Sequence, residues 1–441
     1  MNDDILRSLQ ADQIRFLRVV WCDNANVIRG KAIHRDAFGG AQEGVGLSAA
    51  QQAIPVMADA VAPGSGLGPV GEVWLVPDWA TLQRLPYAPG HARVMGDMVR
   101  AGEPWPWCGR QFLKRMIGQA AGLGLEIKAA FEPEFYLLRH ENGQILPADT
   151  TVFAASLAMD LQHGVINAIA DALSAQGVLI EQYYPESGPG QQEISVCYTD
   201  ALAAADQHII YRETVRAVAR QHGLVASFVP KVFEAAAGSG CHLHLSLWRD
   251  GGNITGNGSG ALSSTTQAFT AGLLTHLPAL MALTAPSTNS YRRLQPHFWS
   301  GAFRAWGYDN REAAIRVPSN PAPPSPTHIE LKTVDGAANP YLALGGAIAA
   351  GLDGLQQNLP LPEPIDCDPG TLSEAERSAR QIDRLPTDLK TAIHALRQNL
   401  PLTQALGEPL AQTYLAVRQA EWDAMKDLDL EGEVRMLLER Y

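Results

Sequence analysis

The sequence predicts an α+β fold with a small first domain and a larger second one, and three observations support this prediction. Strand-like runs rich in β-branched and aromatic residues come first, for example at residues 14–22. Long segments with helical spacing of apolar residues follow and lie between further strands, as at 201–222. The length of 441 residues exceeds the usual size of a single hydrophobic core. We therefore expect two domains of unequal size.

The first domain is predicted to cover residues 1–103 and to contain a small sheet. Its strands are expected at 14–22, 27–33, 72–76 and 93–99. A segment with two prolines and two tryptophans, residues 101–107, precedes a predicted helix at about 109–121. This change in pattern places the predicted domain boundary near residue 103.

The second domain is predicted to cover residues 104–441 and to combine strands with long helices. The strands are expected at 125–138, 178–182, 193–197, 225–229, 241–248, 302–306, 313–317 and 329–333. The helices are expected at 159–174, 201–222, 262–285 and 339–355, with a helical tail from about residue 372.

Composition excludes several classes of protein. A formal charge of -12 without clusters of Lys or Arg argues against binding to nucleic acid or to an anionic membrane surface. The five cysteines are scattered, which indicates reduced thiols rather than a disulfide framework. The acidic N-terminus does not resemble a signal peptide, and no apolar run reaches about eighteen residues. We expect a cytoplasmic protein.

The stretch Gly238–Ser246 places polar side chains on one face of a predicted strand. Side chains alternate between the two faces of an extended chain, so His242, His244 and Ser246 would project together, with leucines between them on the other face. The same spacing relates Glu132 to Glu134. It also relates a carboxylate to an ammonium group in Glu330-Leu-Lys332. Charges in apolar strands are rarely buried unless they are paired or bind metal, so these strands predict a shared polar pocket.

The acidic residues favour one kind of metal site over another. A His-x-His pair can consist simply of two hydrogen-bonded polar side chains. Alternatively, it can belong to the zinc site of a hydrolase. A zinc site would require further clustered imidazoles, which the sequence lacks. Carboxylates are more abundant than imidazoles, and the candidates are Glu132, Glu134, Glu186, Glu193 and Glu330. This donor set suits Mg²⁺ or Mn²⁺, although each glutamate taken alone could be a solvated surface charge.

Arginines join the carboxylates and imidazoles as the third kind of side chain in the predicted site. Arg293, Arg311 and Arg316 lie in segments flanked by apolar and aromatic residues, and arginine is suited to bidentate binding of carboxylate or phosphate. The sequence contains no Walker-type phosphate loop. Clustered metal ligands with several arginines therefore predict phosphoryl transfer from a nucleotide by metal binding and positioning.

Several motifs, taken together, resemble those of the glutamine synthetase superfamily over nearly the whole chain. They are Phe131-Glu-Pro-Glu-Phe135, Gly188-Pro-Gly-Gln-Gln-Glu-Ile194, Gly238-Ser-Gly-Cys-His-Leu-His244, Asn289-Ser-Tyr-Arg-Arg-Leu294, Asn310-Arg311 with Arg316, and Ala338-Asn-Pro-Tyr341. The resemblance implies a small N-terminal β-grasp domain and a large catalytic domain with an antiparallel sheet and flanking helices. It also implies a ring-shaped homo-oligomer, commonly two stacked hexamers, with active sites between subunits.

The resemblance also implies roles for individual residues. One Mg²⁺ or Mn²⁺ would be bound by Glu134, Glu186 and Glu193, and the other by Glu132, His242 and Glu330. The implied nucleotide-binding residues are Glu181, His244, Ser246, Arg311 and Arg316. The implied substrate-binding residues are Gly238, Arg293, Trp299 and Lys332, and the implied catalytic residues are Asp59, Arg311, Arg316 and Lys332.

The sequence departs from the family pattern at the site for the attacking nitrogen. Glutamine synthetases have a flap glutamate near the position of Trp299, and their ammonium-binding aspartate has only an approximate counterpart in Asp59. A negative charge is therefore missing from the predicted flap. An indole in place of a carboxylate favours a nitrogen with an apolar substituent, through apolar contact and cation–π attraction. Tyr184, Ala237 and Lys332 are further departures.

The resemblance thus implies an ATP-dependent ligase of the glutamate–amine branch, similar to γ-glutamylmethylamide synthetases. Such a ligase phosphorylates the γ-carboxylate of L-glutamate, and a small alkylamine then displaces the phosphate. The alternatives are a glutamine synthetase that uses ammonia, with Trp299 only packing the flap, and a catalytically silent ring scaffold. Retention of all the implied metal ligands argues against the scaffold.

Overall fold

The computed structural model describes residues 3–38, 44–319 and 326–441, so the first two residues of the acidic N-terminus lie outside the described part. The strands are β1 Phe16–Cys22, β2 Ile28–His34, β3 Val45–Ser48, β4 Glu72–Arg84, β5 His91–Arg100, β6 Glu103–Pro104, β7 Glu126–Glu141, β8 Gln144–Pro147, β9 Ile180–Pro185, β10 Gln191–Val196, β11 Thr199–Asp200, β12 Val225–Ser227, β13 Cys241–Arg249, β14 Gly252–Asn253, β15 Phe303–Tyr308, β16 Ala313–Val317 and β17 Ile329–Leu331.

The helices are α1 Asp3–Ala11, α2 Gly109–Gly122, α3 Ser156–Ser174, α4 Ala201–Gln221, α5 Ser264–Thr284, α6 Ser290–Arg293, α7 Pro340–Gln356, α8 Glu374–Ala379, α9 Leu389–Gln398, α10 Leu400–Leu406, α11 Glu408–Met425 and α12 Leu430–Leu437. The predicted α+β class is confirmed. Helix α1 was not predicted, and the predicted C-terminal tail comprises the five helices α8 to α12. No helix in the described ranges combines the length and the apolar character needed to cross a bilayer.

The first sheet has six strands, in the order β2-β1-β5-β4-β3 with β6 beside β5. Its strands pair antiparallel except β1 and β5, which are parallel. One side of the sheet buries its own small core, which includes Leu17, Val73 and Val94. Side chains of the opposite parity, such as Val20 and Met95, pack instead into the main core of the chain. The small sheet is therefore joined to the rest of the molecule by apolar contact.

Strand β4 is longer than its predicted segment, which ended at residue 76. The observed strand continues through Pro77 to Arg84, and its pairing with β5 has an irregularity between Asp78 and Gln83. Proline cannot donate a ladder hydrogen bond, so the sequence favours a strand end at this point. The bulged pairing absorbs the disruption, which is a tertiary effect that strand propensity does not indicate.

The second sheet has eleven strands, with the path β15-β16-β17-β13-β7-β10-β9. Strand β7 lies near the middle and also pairs with β8, β11 and β12. The predicted antiparallel character holds for these pairs except β15 with β16, which are parallel. Helices α2, α4, α5 and α7 contribute buried residues to the core that also buries the inner faces of these strands. The sheet thus has one apolar face and one polar face.

Candidate active site

The polar face of the second sheet gathers the charged residues of four neighbouring strands. His242 on β13 lies directly opposite Glu132 on β7, and Glu193 on β10 lies opposite Glu134 on β7. On the other side of β13, His244 pairs with Glu330 of β17. The leucines at alternate positions of β13 are at most 1% exposed, as the alternation of strand side chains predicts. Strand pairing therefore brings together residues that are up to two hundred positions apart.

The first cluster consists of Glu132, His242 and Glu330. One ligand atom from each residue lies within 4.8 Å of those of the other two. His242 Nδ1 is 3.4 Å from Glu132 Oε2 and 3.3 Å from Glu330 Oε1. Burial and the nearby charge of Lys332 lower the pKa of His242 to about 4, so its imidazole is neutral at pH 7. A neutral imidazole can act as a metal ligand.

The second cluster consists of Glu134, Glu186 and Glu193, whose ligand atoms also lie within 4.8 Å of one another. Burial and the charge of Glu186 raise the pKa of Glu134 to about 8. Burial and the charges of Glu132 and Glu134 raise the pKa of Glu193 to about 10. Burial, together with repulsion from neighbouring carboxylates, therefore favours the protonated forms of Glu134 and Glu193 near neutral pH.

Both clusters fit the divalent cations that the sequence predicts. Their donors are carboxylate oxygens with one imidazole nitrogen, which is the donor set preferred by Mg²⁺ or Mn²⁺ rather than by a structural zinc site. A divalent cation would also neutralise the repulsion among the buried carboxylates. The structure brings the predicted ligands together in the two predicted groups, and their role as metal ligands stays a prediction.

Two basic side chains lie beside the first cluster. Arg316 donates from Nη1 to Glu330 Oε2 at 2.9 Å, and Lys332 donates from Nζ to Glu330 Oε1 at 3.2 Å. Burial alone would raise the pKa of Glu330, but the positive charges around it, first of all that of Lys332, lower it to about 2. Glu330 is therefore an ionised carboxylate held by two cations. The predicted catalytic residues Arg316 and Lys332 lie next to the predicted metal ligands.

The predicted nucleotide-binding residues lie at different depths. His244 Nε2 is 3.2 Å from Glu132 Oε2, so this imidazole contacts a cluster residue. Ser246 is buried and accepts a hydrogen bond from Trp248 Nε1 at 2.9 Å. Glu181 on β9 is exposed, and its side chain has no hydrogen bond or ion pair within the described ranges. Their roles toward a nucleotide stay predictions.

Gly238 and Arg293 fit closely together at one end of the site. A Cβ atom on Gly238 would lie 2.6 Å from Cγ of Arg293, so only glycine leaves room for this arginine. Arg293 is buried, and its Nη2 donates to the backbone carbonyls of Lys332 and Val334 at 2.9 and 2.8 Å. Its Nε is buried without a partner in the described part of the molecule. One donor of this guanidinium group thus has no hydrogen-bond partner in the described structure.

The flap, which we define as residues 295–300, exposes two aromatic rings. Phe298 is 58% and Trp299 is 59% exposed, whereas most other tryptophans are at least partly buried. The guanidinium of Arg311 lies 5.9 Å from the centroid of the Trp299 ring, and Nζ of Lys231 lies 5.1 Å from that of Phe298. The predicted phosphate-binding residue Arg311 is therefore in contact with the predicted amine-site residue Trp299.

Asp59 is exposed in the segment before β4, and its side chain forms no hydrogen bond or ion pair with any residue the structure describes. Its assignment to the amine site stays a prediction.

Sequence reasoning missed three residues that contact the site. Ser195 donates to Glu193 Oε1 at 2.9 Å, and Gln191 donates from Nε2 to Glu134 Oε2 at 3.0 Å. Both lie two positions from Glu193 on β10, so the alternation rule could have found them. Glu312 accepts a hydrogen bond from the backbone N–H of Trp299 at 2.9 Å. The flap therefore does contact a carboxylate, although not one from its own sequence.

Comparison with known proteins agrees with the fold and identifies the family. A model of the glutamine synthetase catalytic domain matches residues 106–437, and a model of the glutamine synthetase N-terminal domain matches residues 2–105. Gamma-glutamylpolyamine synthetase GlnA3 of Streptomyces coelicolor is 40% identical over 430 residues, which cover 94% of this chain and 91% of the relative. Type-1 glutamine synthetase 1 of Dictyostelium discoideum is 35% identical over 456 residues, with coverages of 97% and 90%.

Solved structures give the same result at the level of the backbone. A GmaS/ADP complex superposes with a TM-score of 0.86 at 31% identity and covers 99% of both chains. A structure described as a novel glutamine synthase homolog superposes with a TM-score of 0.86 at 31% identity, with coverages of 97% and 99%. The resemblance that the motifs indicate is thereby confirmed. This chain belongs to the glutamine synthetase family, whose members are ATP-dependent C–N ligases.

Proposed function

We propose that this ligase joins the γ-carboxylate of L-glutamate to a small amine, most favourably an alkylamine, and releases ADP and phosphate. The observation that carries the proposal is the flap, where Trp299 presents an exposed indole ring near the position at which glutamine synthetases have a carboxylate. An indole ring attracts a nitrogen that bears an apolar substituent by apolar contact and by cation–π attraction.

The two carboxylate clusters would hold two divalent cations, with Glu134, Glu186 and Glu193 as one ligand set and Glu132, His242 and Glu330 as the other. When bound, Mg²⁺ or Mn²⁺ would neutralise charge on the phosphates of ATP. Arg316 and Lys332 support the same role, because each lies within 3.2 Å of Glu330 and adds positive charge beside the first cluster. Arg311 is exposed and free to contact the phosphate that is transferred.

Glutamate binding is assigned to Arg293 and Gly238. The guanidinium group of Arg293, whose Nε has no partner in the described structure, would bind the α-carboxylate, and Gly238 leaves the room that the arginine side chain occupies. The γ-carboxylate oxygen would then attack the γ-phosphate of ATP, which forms a γ-glutamyl phosphate and ADP. Transfer of this kind depends on positioning and on charge stabilisation, which the arginines and the cations provide.

The amine completes the reaction at the flap. Its nitrogen attacks the carbonyl carbon of the γ-glutamyl phosphate, the carbon–oxygen bond to phosphate breaks, and the nitrogen loses a proton. We assign Asp59 as an acceptor for that proton. Asp59 is exposed in a single chain, so this assignment requires a second subunit. We therefore propose a ring-shaped homo-oligomer in which the loop that carries Asp59 reaches the active site of a neighbouring subunit. Measurement of the molar mass by light scattering tests the oligomer, and a monomer would contradict it.

Relatives support both the proposed function and one alternative. The 40% identical relative is named as a polyamine ligase, which supports an amine larger than ammonia. A type-1 glutamine synthetase is 35% identical over 97% of this chain, which supports ammonia as the second candidate. The two candidates differ in how the free energy of activation responds to an apolar substituent on the nitrogen.

Phosphate release with glutamate, ATP and Mn²⁺ tests the proposal across ammonium, methylamine, ethylamine and a diamine. We expect kcat/KM for at least one alkylated amine to exceed that for ammonium by about tenfold or more, as one or two buried methyl groups provide. Replacing Trp299 with alanine should reduce this preference. A strong preference for ammonium in the wild type would establish the alternative instead.

A further inference from the structure

The flap is held in a backbone conformation that needs support from its surroundings. His297 and Trp299 have φ angles of 65° and 54°, in the left-handed region that side chains other than glycine rarely adopt. Such conformations persist where neighbouring groups fix them, and they cluster at binding sites. The conformation at Trp299 therefore requires a neighbouring group that fixes it.

Glu312 is that group in the described structure. Its Oε1 accepts the backbone N–H of Trp299 at 2.9 Å. The residue is 7% exposed, and its Oε2 is buried without a hydrogen-bond partner among the described residues. A buried carboxylate with one unsatisfied oxygen is costly, so a feature of this kind calls for an explanation.

Hydrogen bonds hold the segment that carries Glu312 in place. Its backbone N–H donates to Asn310 Oδ1 at 3.0 Å, and Asn310 Nδ2 donates to the carbonyls of Ile365 and Cys367, both at 2.9 Å. The preceding residue, Arg311, has its guanidinium 5.9 Å from the Trp299 ring. One short segment therefore contacts Trp299 twice. The side chain of Glu312 binds the backbone of Trp299, and the side chain of Arg311 lies beside its indole ring.

We propose that Glu312 is a positioning residue that sets the amine specificity of the ligase by fixing the backbone of Trp299 over the amine site. This inference rests on the proposed function, in which the Trp299 ring contacts the amine. It assigns to a residue of the phosphate-binding segment the task of holding the backbone of the flap in place. It also makes the position of the amine-binding ring depend on the same segment that carries Arg311.

Steady-state kinetics of three variants test the inference. Glu312→Ala removes the acceptor, Glu312→Gln keeps an oxygen acceptor of the same length, and Asp366→Ala removes an exposed carboxylate near the Ile365 and Cys367 anchor. We expect Glu312→Ala to raise KM for the amine by about tenfold, the usual effect of losing a hydrogen bond to a charged group, with KM for ATP and glutamate unchanged. Glu312→Gln should restore most of the amine affinity, and Asp366→Ala should match the wild type.

Fluorescence provides a second readout that does not need turnover. The difference between each protein and its Trp299→Phe counterpart isolates the emission of Trp299. We expect this difference spectrum to change in Glu312→Ala and to be preserved in Glu312→Gln. If Glu312→Ala does not fold, Glu312→Asp replaces it, because the shorter side chain keeps the charge but withdraws the oxygen by about 1.5 Å.

The results separate this inference from the proposed function. Lack of turnover with every amine would overturn the proposed function, and the emission of Trp299 would then decide whether Glu312 positions the flap. A wild-type amine KM together with a wild-type difference spectrum in Glu312→Ala would overturn the inference. Equal losses in Glu312→Ala and Glu312→Gln, or an equal rise of KM for all three substrates, would also overturn it.

Discussion

Two adjacent arginines at the end of α6 have different surroundings, and they provide a matched pair at the scale of single residues. Arg293 is buried at the site, where it holds the carbonyls of Lys332 and Val334. Arg292 faces the C-terminal helices and donates to Glu433 at 2.7 Å. The first contacts the proposed glutamate site, whereas the second joins distant parts of the chain.

We expect Arg293→Ala to raise KM for glutamate by about tenfold or more with little change in KM for ATP, because a charge-assisted contact to a carboxylate is lost. Arg292→Ala should instead lower the free energy of unfolding by about 1–3 kcal/mol, because Glu433 would remain buried without this partner. Initial-rate kinetics and urea denaturation of both variants check these results. An unchanged glutamate KM in Arg293→Ala would remove the assigned role.

Glu330 permits a similarly direct test of the first cluster. The variant Glu330→Gln keeps the size of the side chain but removes the charge that holds Arg316, Lys332 and the proposed cation. We expect phosphate release to fall by at least about a hundredfold, the range seen when charge stabilisation is removed from a transition state. The stoichiometry of Mn²⁺ binding, measured by electron paramagnetic resonance, should drop as well. Retained activity with full Mn²⁺ binding would count against the cluster as a metal site.

At the scale of elements, the close packing of α5 against α7 depends on glycines. A Cβ atom on Gly272 would lie 2.2 Å from the carbonyl oxygen of Ala350 and 2.7 Å from the backbone nitrogen of Gly354. By contrast, a Cβ atom on Gly118, inside α2, would meet no atom within 4 Å. The two glycines therefore differ in whether the helix can accept a larger side chain.

We predict opposite effects of one substitution at these two positions. Gly272→Ala should destabilise the protein by about 1–3 kcal/mol, because the two helices must move apart. Gly118→Ala should stabilise it by about 0.4–1 kcal/mol, because the unfolded chain loses conformational freedom. Urea denaturation of the wild type and the two variants measures these changes. The free energies of unfolding can be compared if all three proteins show the same dependence on urea concentration. A stabilised Gly272→Ala variant would mean that the helices are not packed this closely.

At the scale of the whole molecule, Arg110 links the small sheet to the large core. Its side chain is 3% exposed and pairs with Asp78 at 2.8 Å and Asp97 at 3.0 Å in the first sheet, and with Asp206 of α4 at 2.8 Å. Lys114, one turn further along α2, contacts two of these aspartates but is 31% exposed. Both side chains are cationic, yet only Arg110 is buried among its partners.

Replacing Arg110 with leucine should therefore cost about 3–5 kcal/mol in the free energy of unfolding, because three partly buried carboxylates lose their common partner. Lys114→Ala, which keeps the arginine, should cost only about 0–1 kcal/mol, as exposed pairs do. Denaturation curves recorded by circular dichroism measure both values. Equal losses in the two variants would show that the burial of Arg110 has no special effect.

Cation binding should stabilise the whole fold, since ligands that bind only the folded state shift the unfolding equilibrium. At a free Mn²⁺ concentration about a hundredfold above its Kd, one occupied site should add about 2.7 kcal/mol to the free energy of unfolding. We expect the midpoint of thermal unfolding to rise with Mn²⁺, to return with EDTA, and not to respond to NaCl of equal ionic strength. A midpoint that is insensitive to Mn²⁺ would contradict cation binding by the clusters.

Features of the site that depend on residues close together in the sequence could be predicted, whereas features that depend on contacts between distant segments could not. The resemblance to the glutamine synthetase superfamily implied the two groups of metal-ligand candidates, and the structure brings the ligand atoms of each group within 4.8 Å of one another. Ser195 and Gln191 were missed although the alternation of side chains on β10 contains them. Glu312 could not have been found this way, because its contact with Trp299 joins two loops in which side chains follow no regular period. The domain boundary near residue 103 and Asp59 stay predictions.

The sequence by itself determined which residues share a face of each strand and which family the chain belongs to, because side-chain alternation and motif spacing are local properties of the chain. Only the tertiary structure decided which strands are neighbours, so that His242 lies opposite Glu132 and His244 opposite Glu330. It also decided that β4 continues past Pro77, that β15 and β16 are parallel, and that a carboxylate supports the flap. These features arise from pairing and packing between segments far apart in sequence, which no local pattern encodes.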